Sequence, residues 1–205
     1  MTKQVEFFFD IGSPASYLAW TQLPRIAAAA GAAITWKPML LGGVFKVIGN
    51  ASPVTIPAKG KWLMHDLARF AARYGVPLRI PSNFPVNTLP LMRGAAGLQR
   101  KRPADFQPYL QAMFNAMFAQ GLDLGNPEVL TGVLTAAGFD NAEFEALIGD
   151  PAVKQALIEG TNEAVARGVF GAPTMFVGDE MHFGQDRLDF VAAALGRAGE
   201  DVVAR

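Results

Sequence analysis

Val5-Glu6-Phe7-Phe8-Phe9-Asp10-Ile11-Gly12-Ser13-Pro14-Ala15-Ser16-Tyr17-Leu18 is the stretch from which the fold is read. Residues 5–9 form a short apolar run of strand-forming types, suited to a strand covered on both faces. Gly12 turns the chain, Ser13 is an N-cap residue type, and Pro14 suits the first helical position. Leu18, Trp20, Leu23, Ile26 and Ala27 continue an apolar face until Gly31 stops the helix. A buried strand therefore delivers a hydroxyl to the positive end of a helix. Backbone N–H groups and the macrodipole there favour an anion such as a thiolate, carboxylate or phosphate. Taken alone, the same stretch also describes a serine that only caps a helix.

Outward from this stretch, residues 32–38 predict a second strand, reached by a crossover that makes the two strands parallel. Residues 39–60 read as a long connection rich in Gly and Pro, with enough apolar residues to pack; long structured loops are often functional. Apolar periodicity then predicts helices over 61–74, 88–98, 104–120, 127–137, 142–148 and 151–167. Met113, Phe114, Met117 and Phe118 make an apolar stripe that packs between helices or lines a pocket. Thr174-Met175-Phe176-Val177 is a β run, Gly178-Asp179 a hairpin turn signal, and Glu180-Met181-His182-Phe183 the return strand. Asp186 reads as the cap of a closing helix through Leu188, Phe190, Val191 and Leu195. Two small strand groups flanking a helical block cannot be stable apart, so they should join in one sheet.

The 205 residues are 51% apolar and 18% charged, the balance of a globular chain with a well-buried core. Eighteen basic residues match eighteen acidic ones, so no net field draws the chain to nucleic acid or an anionic membrane. No apolar run reaches the ~20 residues that span a bilayer, and Glu6 and Asp10 interrupt any uncharged leader after Lys3. The expected location is the cytoplasm. Cysteine is absent, which excludes disulfides, thiolate metal sites and catalysis by the chain's own sulfur. His65 and His182 are the sole histidines and argue against a histidine-rich metal centre.

The element order, together with Gly168-Val169-Phe170-Gly171-Ala172-Pro173-Thr174 and Gly178-Asp179-Glu180-Met181-His182-Phe183-Gly184-Gln185-Asp186-Arg187-Leu188, resembles the DsbA-like family. The resemblance implies an α/β thioredoxin-like fold (βαβ…ββα) with an inserted all-helical domain. Residues 1–60 and 169–205 would be the thioredoxin-like part and 61–168 the insert. In that superfamily the proline before the third strand, here Pro173, is cis, and the backbone of Ala172 is open to pair with a bound peptide. The redox members carry Cys-x-x-Cys where this chain has Gly12-Ser13-Pro14-Ala15-Ser16. Serine there resembles the kappa-class glutathione transferases and the 2-hydroxychromene-2-carboxylate isomerases. The Asp-x-x-Ser-Pro start, Lys46 with Gly49-Asn50, Asp66-Leu67 and the Gly184-to-Leu188 ending extend the likeness along the chain. With Gly-Asp-Glu-Met ahead of it, that ending is nearer the isomerases.

The resemblance also implies a site. Glutathione would supply the missing thiol as cofactor, with Ser13 donating a hydrogen bond to its sulfur as the catalytic residue. Ala172 and Pro173 would hold the cysteinyl portion through the main chain. Gln185 and Asp186 would take the γ-glutamyl end, Phe183 and Gly184 would also bind glutathione, and Lys59 and Trp62 would line its site. Lys46 would bind the carboxylate of an aromatic pyruvate, or be a solvated lysine. Asn50 would orient substrate or glutathione, or simply make a Gly-Asn turn. Phe84 would stack on the substrate ring or belong to the core. The implied activity is cis–trans isomerisation between 2-hydroxychromene-2-carboxylate and trans-o-hydroxybenzylidenepyruvate in aromatic hydrocarbon catabolism, by a homodimer. Two other readings stand beside it: a kappa-type transferase or peroxidase, and a non-catalytic thioredoxin-like module binding peptides along the Ala172-Pro173 edge.

Overall fold

Alternating burial along Val5, Phe7 and Phe9 on one face and Phe8 on the other makes the first strand a wall between two apolar layers. The computed structural model describes residues 3–197. Its strands are β1 (Gln4–Phe9), β2 (Ala33–Pro38), β3 (Thr174–Val177) and β4 (Glu180–Phe183). They form one mixed sheet in the order β2-β1-β3-β4. β1 runs parallel to β2, with Phe7 opposite Trp36, and antiparallel to β3, with Phe7 opposite Met175. β3 and β4 are the expected hairpin, turning at Gly178 with φ +60°. The first and last parts of the chain thus share the sheet through β1 and β3.

Helix α1 (Pro14–Ala29) follows β1. Next come α2 (Leu41–Ile48), α3 (Pro57–Tyr74), α4 (Leu89–Lys101) and α5 (Pro103–Phe114), the last continuing into a π-helical stretch Asn115–Ala119. α6 (Pro127–Ala136), α7 (Asn141–Gly149) and α8 (Pro151–Ala166) lead to β3, and α9 (Leu188–Arg197) closes the described chain. The apolar layer over Phe7 and Phe9 is continuous with the helical block. Phe114 lies 5.3 Å from Trp20, 6.1 Å from Tyr17 and 6.2 Å from Phe9 between ring centroids. The stripe Met113, Phe114, Met117 and Phe118 is accordingly core. On the other face Phe8, Met39, Val44, Val169 and Phe176 form a smaller cluster under α2 and α8, where the Arg167 guanidinium stacks 3.9 Å from the Phe176 ring centroid. No helix among the described residues is long and apolar enough to cross a membrane.

The structure corrects the reading of 39–60 as a connection. It holds α2, a 3-10 turn at Pro53–Thr55 and the first turn of α3, which begins at Pro57 rather than 61. The Gly42-Gly43 pair is a weak helix former, and the caps of α2 come from far away in sequence. Thr161 Oγ1 accepts from the Leu40 amide at 3.0 Å, and Asp10 Oδ2 from the Leu41 amide at 2.8 Å. Gly43 lets α8 approach: a Cβ there would lie 3.1 Å from Thr161 Cγ2. Of the ranges expected for the thioredoxin-like part, positions 1–2 and 198–205 lie outside the described residues.

Candidate active site

The donors at the opening of α1 are nearly all engaged by nearby acceptors. The Gly12 amide donates to Asp10 Oδ1 at 2.8 Å and the Ser13 amide to the Asp10 carbonyl at 3.0 Å. Pro14 has no N–H. The Ser16 amide donates to Ser13 Oγ at 3.1 Å, the cap predicted from the sequence. Among the described residues, that leaves the Ala15 amide as the helix-start donor without a protein acceptor. Ser13 is 5% exposed, so its hydroxyl faces a largely dry end of the helix dipole.

That hydroxyl also donates to the carbonyl of Ala172 at 3.0 Å. The expectation of an open Ala172 backbone is therefore corrected for its carbonyl, since the serine, having a proton to give, finds an acceptor across the cleft. The Ala172 amide has no protein acceptor among the described residues. The Ala172–Pro173 bond is cis, as is Phe84–Pro85. The Pro173 carbonyl accepts from the Gly184 amide at 3.0 Å, joining the segment before β3 to the turn after β4.

Above the serine opens a cavity of about 570 Å³, walled largely by apolar side chains. It gathers Ser13, Asn50, Lys59, Trp62, Phe84 and Ala172, with the run Phe183, Gly184, Gln185 and Asp186 on a further side. Lys46 does not join them; it is an exposed residue of α2 outside the lining. The helix, unforeseen in the sequence, is what carries it out, and Lys59 is the cation among the described lining residues. Pro173 lies behind Ala172, outside the lining.

The structure gives three of these residues defined partners, and for Asp186 it corrects the cap expected from the sequence. Asn50 follows Gly49, whose φ of +70° ends α2, and its side chain is occupied: Nδ2 donates to the Phe170 carbonyl at 3.2 Å and Oδ1 accepts from Ala51. It braces the cavity wall. Asp186 does not cap a helix. It sits inside a 3-10 turn, Gln185–Arg187, introduced by Gly184 at φ +103°, and its carboxylate accepts from Arg187 Nη1 at 2.6 Å. Phe84 both packs against the main core and lines the cavity. Trp62, 61% exposed, stands at the mouth. There Phe183 meets Phe170, their ring centroids 4.6 Å apart.

Sequence reasoning missed other participants. Asp66 lines the cavity one helical turn beyond Trp62 on α3. Leu41 and Phe45 of α2 complete the apolar wall. Tyr74, at the end of α3, donates its hydroxyl to the Gln185 carbonyl at 2.5 Å and so fixes the 185–187 turn; burial raises its pKa. The i, i+4 spacing of Trp62 and Asp66 was a readable signal; the partner of Tyr74, across more than a hundred residues, left none.

Residues 4–196 match the family model of the DSBA-like thioredoxin domain. A 2-hydroxychromene-2-carboxylate isomerase of Pseudomonas putida is 35% identical over 195 residues, covering 94% of each chain. The chain belongs to the DsbA-like 2-hydroxychromene-2-carboxylate isomerase family. A solved structure of a 2-hydroxychromene-2-carboxylate isomerase superposes with a TM-score of 0.85 at 33% identity, covering 98% of both chains. Glutathione S-transferase kappa 2 of Caenorhabditis elegans is 30% identical, covering 93% of this chain and 90% of its own. In this isomerase family member the fold is thioredoxin-like and the helix-start residue is serine.

Proposed function

We propose that the chain is a glutathione-dependent cis–trans isomerase interconverting 2-hydroxychromene-2-carboxylate and trans-o-hydroxybenzylidenepyruvate, or a close aromatic analogue, in aromatic hydrocarbon catabolism. One observation carries the reading: in a chain without cysteine, a buried hydroxyl stands at a helix start, opposite an unengaged Ala172 amide, in an apolar cavity. The residues fit a tripeptide thiol. An amide at Ala172 suits its backbone, Lys59 a carboxylate, and Asp66 or Asp186 an ammonium group. When bound, glutathione would supply a thiolate that adds reversibly to a conjugated double bond and so lets it rotate.

The chain's own part is positioning and electrostatics. Ser13, whose hydroxyl donates to the Ala172 carbonyl, would hold the sulfur by the same hydroxyl, and the Ala15 amide would be a second donor at the positive end of α1. Ordinary thiols titrate near ~8.5, so donors that favour the anion are what make it available at neutral pH. Ala172, with Pro173 behind it, and the 183–186 turn hold the ligand along the β3–β4 side, while Lys59 and Trp62 close the α3 side. Phe84, Phe45 and Leu41 offer an apolar bed for an aromatic ring. The reading takes 61–168 as an insert in the unit 1–60 plus 169–205, and includes a cytoplasmic homodimer.

Incubation of the protein with the hydroxychromene, followed by absorbance with and without glutathione, tests this. Conversion that requires glutathione is expected; none in its presence overturns the reading. The C. elegans kappa relative favours a second reading, glutathione transfer, for which conjugation of an electrophilic aromatic would replace isomerisation.

A further inference from the structure

Asp10 is 2% exposed and does not line the cavity, yet its carboxylate bonds two of the segments that do, the Ser13 turn and the start of α2. Oδ1 accepts from the Gly12 amide at 2.8 Å, in the turn that presents Ser13. Oδ2 accepts from the Leu41 amide at 2.8 Å, the first residue of α2. The Thr88 hydroxyl, at the start of α4, is a third donor. The turn is pressed from the same side, since a Cβ on Gly12 would lie 2.5 Å from Thr88 Cγ2 and the Ile11 amide points at Met92 Sδ. α2 has no cap of its own, because its N-cap residue is Leu40.

We infer that Asp10 is a positioning residue for the reaction: its two carboxylate oxygens set the spacing between the Ser13 turn and the α2 wall that bears Leu41 and Phe45. This rests on the isomerase reading above. The sulfur-holding group and the bed for the substrate ring come from different elements, and this carboxylate bonds both. A one-oxygen side chain cannot accept from Gly12 and Leu41 together without turning an NH2 toward one of the two amides. The misfit should appear in turnover more than in glutathione affinity, because the donors assigned to the sulfur are the Ser13 hydroxyl and the Ala15 amide, and neither bonds the Asp10 side chain.

The test is a coupled set of variants. Asp10→Asn should lower kcat for glutathione-dependent isomerisation by about tenfold or more, the scale of one misplaced buried hydrogen bond. Glutathione affinity by calorimetry should stay within about threefold. Leu41→Pro deletes the second donor at a first helical position, where proline is tolerated and where Leu40, at φ −88° and ψ 106°, is already extended. Against Leu41→Ala, which keeps the amide, it should lower kcat comparably. Adding Asp10→Asn to Leu41→Pro should cost less than about threefold more, as for partners in one bond. Independent, multiplying effects, or unchanged kcat in Asp10→Asn, would overturn the inference. If Asp10→Asn fails to fold, the comparison of Leu41→Pro with Leu41→Ala decides alone. If wild type itself shows no turnover, the isomerase reading fails. Amide exchange then decides for Asp10: protection of Gly12 and Leu41 lost in Asp10→Asn supports it, and protection retained refutes it.

Discussion

Replacing Ser13 by alanine separates a helix cap from a catalytic hydroxyl, because the two roles have different sizes and different observables. In the free protein the hydroxyl makes two bonds, accepting from the Ser16 amide at 3.1 Å and donating to the Ala172 carbonyl at 3.0 Å. Each contributes about 1 kcal/mol, so Ser13→Ala should destabilise by about 2 kcal/mol. At about 2–4 °C per kcal/mol for a chain of this size, the melting temperature should fall by roughly 4–8 °C. With ligand, the hydroxyl exchanges the carbonyl for a thiolate, a charge-assisted bond of about 1.5–3 kcal/mol. Its loss should raise the pKa of bound glutathione by about one to two units. Isomerisation at neutral pH should slow by roughly 10- to 150-fold. The assay pairs thiolate absorbance against pH with turnover on the hydroxychromene, both below the variant's melting temperature. A folded variant with the stability loss but wild-type turnover and thiol titration would refute the argument. Ser13 would then be a cap, and a peptide-binding module would be the better reading.

Two further outcomes follow from the same geometry. Lys59→Met should raise the KM for glutathione or substrate about tenfold, while Lys46→Ala, outside the lining, should leave both within about twofold; initial-rate kinetics on the two variants distinguish these. Burial raises the Asp10 pKa above its ordinary 3.8, against the opposing pull of its Leu41, Gly12 and Thr88 hydrogen bonds. A carboxyl whose folded pKa is raised binds more protons folded than unfolded, so stability falls as pH rises from about 4 through the folded value. Urea midpoints against pH should show that slope in wild type and a flatter one in Asp10→Asn.

Much of the architecture was legible because its signals are local. The buried run Val5 to Phe9, the Ser13-Pro14 helix start, the Gly178-Asp179 hairpin and the stops at Gly31 and Gly75 each follow from steric preferences within a few residues. The absence of cysteine excludes redox chemistry on the chain's own thiols from composition alone.

The site depended on distances that composition and periodicity do not carry. α2 was read as loop because glycines weaken its local preference and its caps, Asp10 and Thr161, sit about 30 and 120 positions away. Once that helix forms, Lys46 faces outward and Lys59 becomes the cation at the cavity. Asp186 had the residue type of a cap, but the turn begun by Gly184 placed it inside a 3-10 segment against Arg187. By itself the sequence determined the strands, the helices other than α2, and the hydroxyl at the start of α1. Which cations, carboxylates and carbonyls meet that hydroxyl was decided by tertiary structure, because bonds such as Ser13 to Ala172 close across 159 residues and only packing brings their ends together.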